Sequence, residues 1–229
     1  VCLKTGKPTS CEALLRWLHP QLGFISPAEF IPLAEDLDLI NRIGHFVIEE
    51  ACRQIAAWSQ QGDNVNVAIN VSAKQFQQGG VAEQILDVLS QHQVPPHQLS
   101  VELTETSFLH CPEETKSAIN ELRSHGIQVT IDDFGTGYSS LSYLRRAPFT
   151  QRTTGPTFVP DLPDAKTDVA IVRAVVQLGT SLGMTVTAEG VETLAQQTCL
   201  AEQGCHQFQG YLYSRPVPAE EAEALIRKP

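Results

Sequence analysis

What this chain lacks narrows it first. It carries only 16 Lys and Arg against 26 Asp and Glu, for a formal net charge of -10. That shortage of cations excludes a binder of long nucleic acid, which needs clustered Lys and Arg over phosphates. It leaves room for a small anionic ligand, provided that metal ions mask the carboxylates. None of the six cysteines, at 2, 11, 52, 111, 199 and 205, forms a CxxC pair, which argues against a zinc cluster. Their scatter suits a reducing, cytoplasmic setting with buried thiols. No uncharged apolar run approaches the ~18 residues of a membrane span, and no secretory leader is recognisable. No Cys or Ser has a partner at a telling spacing, so nucleophilic-triad chemistry carries little weight. The seven histidines offer no ligand pattern, and His19 in "LHP" reads as structural.

What is present is a core and an alternation. The 229 residues are 42% hydrophobic, enough for one sizeable core, and no linker, low-complexity run or repeat divides them. Runs rich in Val, Ile and Thr recur at 10–17, 65–72, 99–105, 127–134, 184–190 and 205–211, and read as strands. Helical patterns occupy 26–61, 81–92, 111–126, 164–183 and 191–204, with apolar residues three and four apart. Strand-helix alternation predicts an α/β fold with a parallel sheet. A remnant at 1–3 and an empty slot between 134 and 164 bring the strand count to eight, the number of a (β/α)8 barrel, whose active site lies at the C-terminal strand ends. A doubly wound open sheet is the alternative. The opening "VCLKTGK" is a strand-like scrap running into a turn, so the chain is expected to be a piece of something longer.

The residues closing the strands are acids or amides: Glu12, Asn70, Glu102, Asp132, Asp133, Glu189 and Gln209. Converging carboxylates repel unless protons or cations neutralise them, and an oxygen-only set suits Mg2+ or Mn2+. Taken singly, each is more simply a solvated loop residue. As a series at one end of several strands, they point to a site. Adjacent Asp132 and Asp133 point to opposite faces in a regular strand, so both reach one centre only if the strand curls. Gly135 and Gly137 just beyond permit that. "DDFGTGYSSL" is Gly-rich, yet no Gly-Lys-Ser/Thr follows, so it is no P-loop. A phosphate cradle and a plain tight turn are equal readings of it.

Together, "CEALLRWLHP", "AINVSAKQF", "VELTET", "TIDDFGTGYSSLSYL", "TAEGVET" and "FQGYLYSRP" closely resemble the EAL domain, the cyclic di-GMP phosphodiesterase family of bacterial signalling. The likeness runs from about residue 9 to 225. It implies a TIM-like barrel with one strand antiparallel, here with its first strand truncated, and a two-metal hydrolase. By that resemblance Glu12, Asn70, Glu102 and Asp132 hold one Mg2+ or Mn2+, and Asp132 bridges to a second beside Asp133 and Glu189. Glu189 is then the general base or positions the attacking water. Arg16 binds a ligand phosphate, Leu14 packs on the ligand, and Gln209 contacts it or orders the site. Glu105 braces the "DDFGTG" loop, and Glu192 supports the last strands. For Leu14 and Glu192, plain packing and a helix-start acid are equally good readings. The product is linear 5′-pGpG. The resemblance also implies upstream sensor or diguanylate-cyclase-like domains, a cytoplasmic domain with membrane tethering through those upstream domains as an option, and a homodimer formed after the "DDFGTG" loop.

One block departs. In the family the sixth strand carries Lys-Ile-Asp; here the register without gaps puts Thr153 at the lysine, Thr154 at the isoleucine and Gly155 at the aspartate. Block 150–156 has no apolar residue and includes Gly-Pro, which suits an inner strand poorly. The expectation is a distorted or displaced segment. Losing one charge-stabilising group typically costs about 10^2–10^3 in rate. A weak enzyme, a cyclic di-GMP receptor or interaction module that no longer hydrolyses, and a block altered by two compensating frameshifts are the three accounts. A barrel enzyme acting on sugar phosphates is a distant fourth. Asp38 stands where the family usually has Gly, which reads as a surface matter. The missing upstream strand leaves an edge that costs stability if unpaired.

Overall fold

The computed structural model describes residues 1–104, 112–134, 151–154 and 158–227; the side chains of 132–134 and 151–154 lie outside that description. Glu105 and the "GTG" loop, with the expected dimer region after it, lie outside the described residues. The architecture is α/β, and its described strand pairs in the barrel-type alternation are parallel. It divides into two compact units, taken in turn.

The first unit comprises Cys11–Val101 and Cys111–Ile127. Strands β1 (Ser10–Ala13), β4 (Asn66–Asn70) and the first half of β5 (Leu99–Thr104) are neighbours in that order. Their helices are α1 (Pro27–Asp36), α2 (Ile40–Gln60), α3 (Ala73–Gln78), α4 (Val81–Gln91) and α5 (Glu113–Ser124). The helices bury one stripe each: Ile48, Ile55, Ile85, Ile119 and Leu122 are at most 1% exposed, beside Ile69 of β4 and Leu99 of β5.

The expected helix over 26–61 is in fact two. Asp38 sits at φ 56°, between α1 and α2. Its N–H donates to the Glu35 carbonyl, and that of Leu39 to Ala34. These are the two bonds of a Schellman stop, whose left-handed residue is normally Gly. Asp38 is therefore a backbone matter rather than a surface one. Lys74 lies 2.9 Å from its carboxylate and Gln78 donates to it at 2.9 Å, and these contacts hold the Asp38 carboxyl below its ordinary range. The strand expected over 10–17 also ends early. After β1 the chain makes a hairpin of β2 (Trp17–His19) and β3 (Gly23–Ile25), which the sequence reading missed.

The second unit comprises Val1–Ser10, Glu102–His110 and Gln128–Pro229. Strands β6 (Gln128–Phe134), β7 (Gln151–Thr154), β8 (Thr185–Ala188) and β9 (Gln207–Phe208) run side by side, each parallel to the next. Helix α6 (Lys166–Ser181) covers β8 so closely that a Cβ on Gly179 would stand 2.5 Å from Val186. Helices α7 (Leu194–Glu202) and α8 (Ala219–Ile226) follow. Val172, Val176, Val186, Val191, Leu200 and Phe208 form the core.

Of the block at 150–156 only residues 151–154 are described; 150, 155 and 156 lie outside the described residues. Residues 151–154 are not displaced, although their register on β6 is irregular beside Thr153. They pair with neighbours on both sides, Thr153 with Thr187 on β8 and Arg152 with both Val186 and Ile131. The ladder uses only backbone groups, and Thr is a good strand former. The expected remnant at 1–3 also has a place. The Val1 amine donates to the Phe208 carbonyl at 2.7 Å and Phe208 N–H to Val1 at 2.8 Å, while Leu3 N–H donates to His206 at 3.0 Å. Cys2 bridges Gln207 in antiparallel sense, so the free side of β9 is covered.

Candidate functional site

In the first unit, Glu12 and Asn70 meet. Asn70 closes β4, and its Nδ2 donates to Glu12 Oε1 at 2.8 Å across 58 residues of chain. That bond leaves the Asn70 carbonyl oxygen as the side chain's acceptor, the atom that a hard cation would use. Leu14, 39% exposed, and exposed Arg16 follow β1. Arg16 donates to the Leu15 carbonyl at 3.0 Å, which leaves most of its five donors for a ligand.

In the second unit, the loops after β8 and β9 are stitched together by backbone. Gln209 N–H donates to Ala188 at 2.8 Å, and the Gln209 carbonyl accepts from Val191 N–H at 3.1 Å. These two bonds bracket Glu189 and Gly190. The approach is so close that a Cβ on Gly210 would lie 2.1 Å from the Val191 carbonyl oxygen. The next turn is fixed by a capping box: Gln196 Oε1 accepts from the N–H groups of Glu192 (2.8 Å) and Thr193 (2.9 Å), and Thr193 caps Gln196 N–H at 3.2 Å. Glu192 is thus exposed at a rigid helix start. Gly210 and Gln196 went unrecognised in the sequence. Their signals were there, a Gly directly after Gln209 and a Thr-x-x-Gln box.

Glu102 lies late in β5, and Asp132 and Asp133 lie in β6. The register of β6 on β7 slips between Ile131 and Phe134. Three steps on β6 (131 to 134) match two on β7 (152 to 154), so Asp132 and Asp133 together oppose Thr153. This is a bulge-like slip of the backbone at the two adjacent acids. Thr153 is the residue opposite it.

Among the described residues, no group of three His, Cys, Asp or Glu side chains stands ready to hold a metal. Asp132 and Asp133, expected at the centre of the set, have side chains outside that description. The donor chemistry itself, five carboxylates and an amide oxygen, suits a hard divalent cation. Thiol chemistry fits less well. Burial pushes the Cys52 thiol up to about 12 and the Cys205 thiol up to about 11, so neither supplies a thiolate at neutral pH.

The EAL domain family matches residues 1–216. The chain belongs to that family. This EAL domain is 42% identical over 227 residues, 99% of its length, to the bifunctional diguanylate cyclase/cyclic di-GMP phosphodiesterase MucR of Pseudomonas aeruginosa. It spans about a third of the length of the curated relatives it matches, 33% for MucR. Among solved structures, the PaMucR phosphodiesterase in complex with cyclic di-GMP is 43% identical, with a TM-score of 0.87 over 92% of this chain and 86% of that one. Klebsiella pneumoniae BlrP1, in a calcium/cyclic di-GMP complex, is 32% identical with a TM-score of 0.77 over 90% of this chain and 50% of that one. No helix among the described residues of the EAL domain is long and apolar enough to cross a membrane.

Proposed function

We propose that this EAL domain is a metal-dependent phosphodiesterase that opens one 3′-ester bond of cyclic di-GMP to give linear 5′-pGpG, slowed by Thr153. The observation that carries the reading is the β-bulge. It sets Asp132 and Asp133 against one residue of β7, at the sheet end where the loop of Glu189 is clamped by Gln209. Solved EAL relatives at 43% and 32% identity have cyclic di-GMP bound, and the second also has calcium, which supports both the ligand class and a divalent ion.

In this reading Glu12, Asn70, Glu102, Asp132, Asp133 and Glu189 would hold two Mg2+ or Mn2+ ions. Two such ions, when bound, lower the pKa of water and neutralise charge on the reacting phosphate. Glu189 accepts the proton of the attacking water or orients it, on a loop fixed by backbone bonds to Gln209. Arg16 offers its planar fork to a ligand phosphate, Leu14 packs on the ligand, and the Gln209 side chain orders the site. Glu105 supports the loop beyond the bulge, and Glu192 holds the start of α7. The whole is a single barrel domain of a longer signalling protein in the bacterial cytoplasm, with one antiparallel strand and upstream sensor or cyclase-like domains, and it forms a homodimer.

Thr153 favours a second reading, a receptor that binds the nucleotide without cleaving it. The test is incubation with cyclic di-GMP and Mn2+, with chromatography for pGpG and Glu189→Gln as control. Product that disappears in the control supports the enzyme. Nucleotide bound without product supports the receptor, and neither binding nor product rejects both.

A further inference from the structure

We infer that a groove in the first unit binds a small amphiphile, an unbranched acyl chain ending in a carboxylate; this does not rest on the phosphodiesterase reading. The groove lies between the hairpin and helices α1 and α2, and has a cavity volume of about 520 Å³. That is within the usual range for small-molecule pockets, which are mostly apolar with a few placed polar groups. Trp17 packs edge-on against buried Phe30 as its floor, ring centroids 5.5 Å apart. Leu33 and Phe46 line its walls and are 53% and 56% exposed. Bare apolar side chains of that size, contiguous in a groove, mark a place where something apolar sits.

The lining charges choose the head group. In a chain with ten more acids than bases, no acid among the described residues lines this groove and two guanidiniums, Arg16 and Arg42, do. Among the described residues the Arg42 side chain has no hydrogen-bond or ion-pair partner. An apolar trough with unneutralised cations complements an apolar tail with one anionic end. Arg16 also belongs to the proposed nucleotide site, so the test rests on Arg42 and Leu33.

The probes are decanoate, dodecanoate, dodecanol and dodecyltrimethylammonium, each below its micellar concentration, followed on the whole chain by calorimetry and by tryptophan emission, with Trp58→Phe isolating Trp17. Dodecanoate is expected to saturate at one site. Decanoate, two CH2 groups shorter, is expected to bind up to about fifteenfold more weakly, from about fourfold per buried CH2. Arg42→Gln should weaken dodecanoate about fivefold, the scale of an exposed charge pair, and leave dodecanol unchanged. Leu33→Gln should weaken both, with circular dichroism verifying that each variant folds. The proposal is overturned by no saturable dodecanoate binding, by equal affinity for the ammonium probe, or by indifference to Arg42→Gln. A preference for an acidic amphipathic peptide over every acyl probe would also overturn it, in favour of a protein partner.

Discussion

Strands β7 and β8 lie side by side in register, yet they are held in place differently. β8 reads Thr-Val-Thr-Ala and is almost wholly buried, with Val186 and Ala188 at 0% exposure. Its place follows from its side chains. β7 reads Gln-Arg-Thr-Thr and has no apolar residue to commend it. Its place follows from a bulged β6 on one side and β8 on the other, each offering a backbone ladder. A strand between two well-specified neighbours tolerates substitutions that would abolish it at an edge, because pairing asks only for N–H and C=O groups. Residues 151–154 therefore keep their place in the sheet without an apolar side chain to hold it.

The largest effects test that separation at the strand ends. Glu189→Gln, just beyond β8, should lower turnover of cyclic di-GMP by about 10^2–10^4 with no change in thermal midpoint, read by pGpG release and calorimetry. Thr153→Lys on β7 should raise turnover by about 10^2–10^3, again with the midpoint unchanged. A gain in stability without a gain in rate would show that β7 is limited by its fold after all. Gly210→Ala drives a Cβ into the Val191 backbone beside the Glu189 loop. It should cost about 1–3 kcal/mol in urea unfolding and lower activity with it.

The smallest effect concerns the other departed position, where backbone and charge pull against each other. Asp38→Gly relieves a left-handed residue, a gain of about 1 kcal/mol, and gives up exposed contacts with Lys74 and Gln78. The net should be a small stabilisation at neutral pH, because exposed charge contacts contribute little. Because the Asp38 carboxyl is held below its ordinary value, its contribution is present above the unfolded-state value and fades as pH falls through the folded one. The advantage of the Gly variant should therefore widen in acid, as paired urea titrations would show.

Much of this was legible beforehand for a physical reason. β4, β5, β6 and β8 each bury three consecutive residues, 67–69, 99–101, 129–131 and 186–188, so both faces are covered and the segments stand out as strands. The acids at their ends were legible as a series because strand ends recur in sequence. β7 was illegible because its place comes from its neighbours, and the hairpin because three-residue strands carry too short a pattern. The slip in β6 was half legible: two adjacent acids posed a steric problem, and the pairing register places an irregularity of the backbone at the same two residues. The break at Asp38 was hidden because an Asp stands where a helix stop calls for Gly.

The pairing of Val1 and Leu3 with β9 also has a mechanical consequence. The first bonds that a pull on the chain's amino end would load are those between Val1 and Phe208, one residue from Gln209, whose backbone clamps the Glu189 loop. Tension at residue 1 is thus delivered to the backbone beside the proposed general base, and a tag or fused domain attached there has a short lever on it.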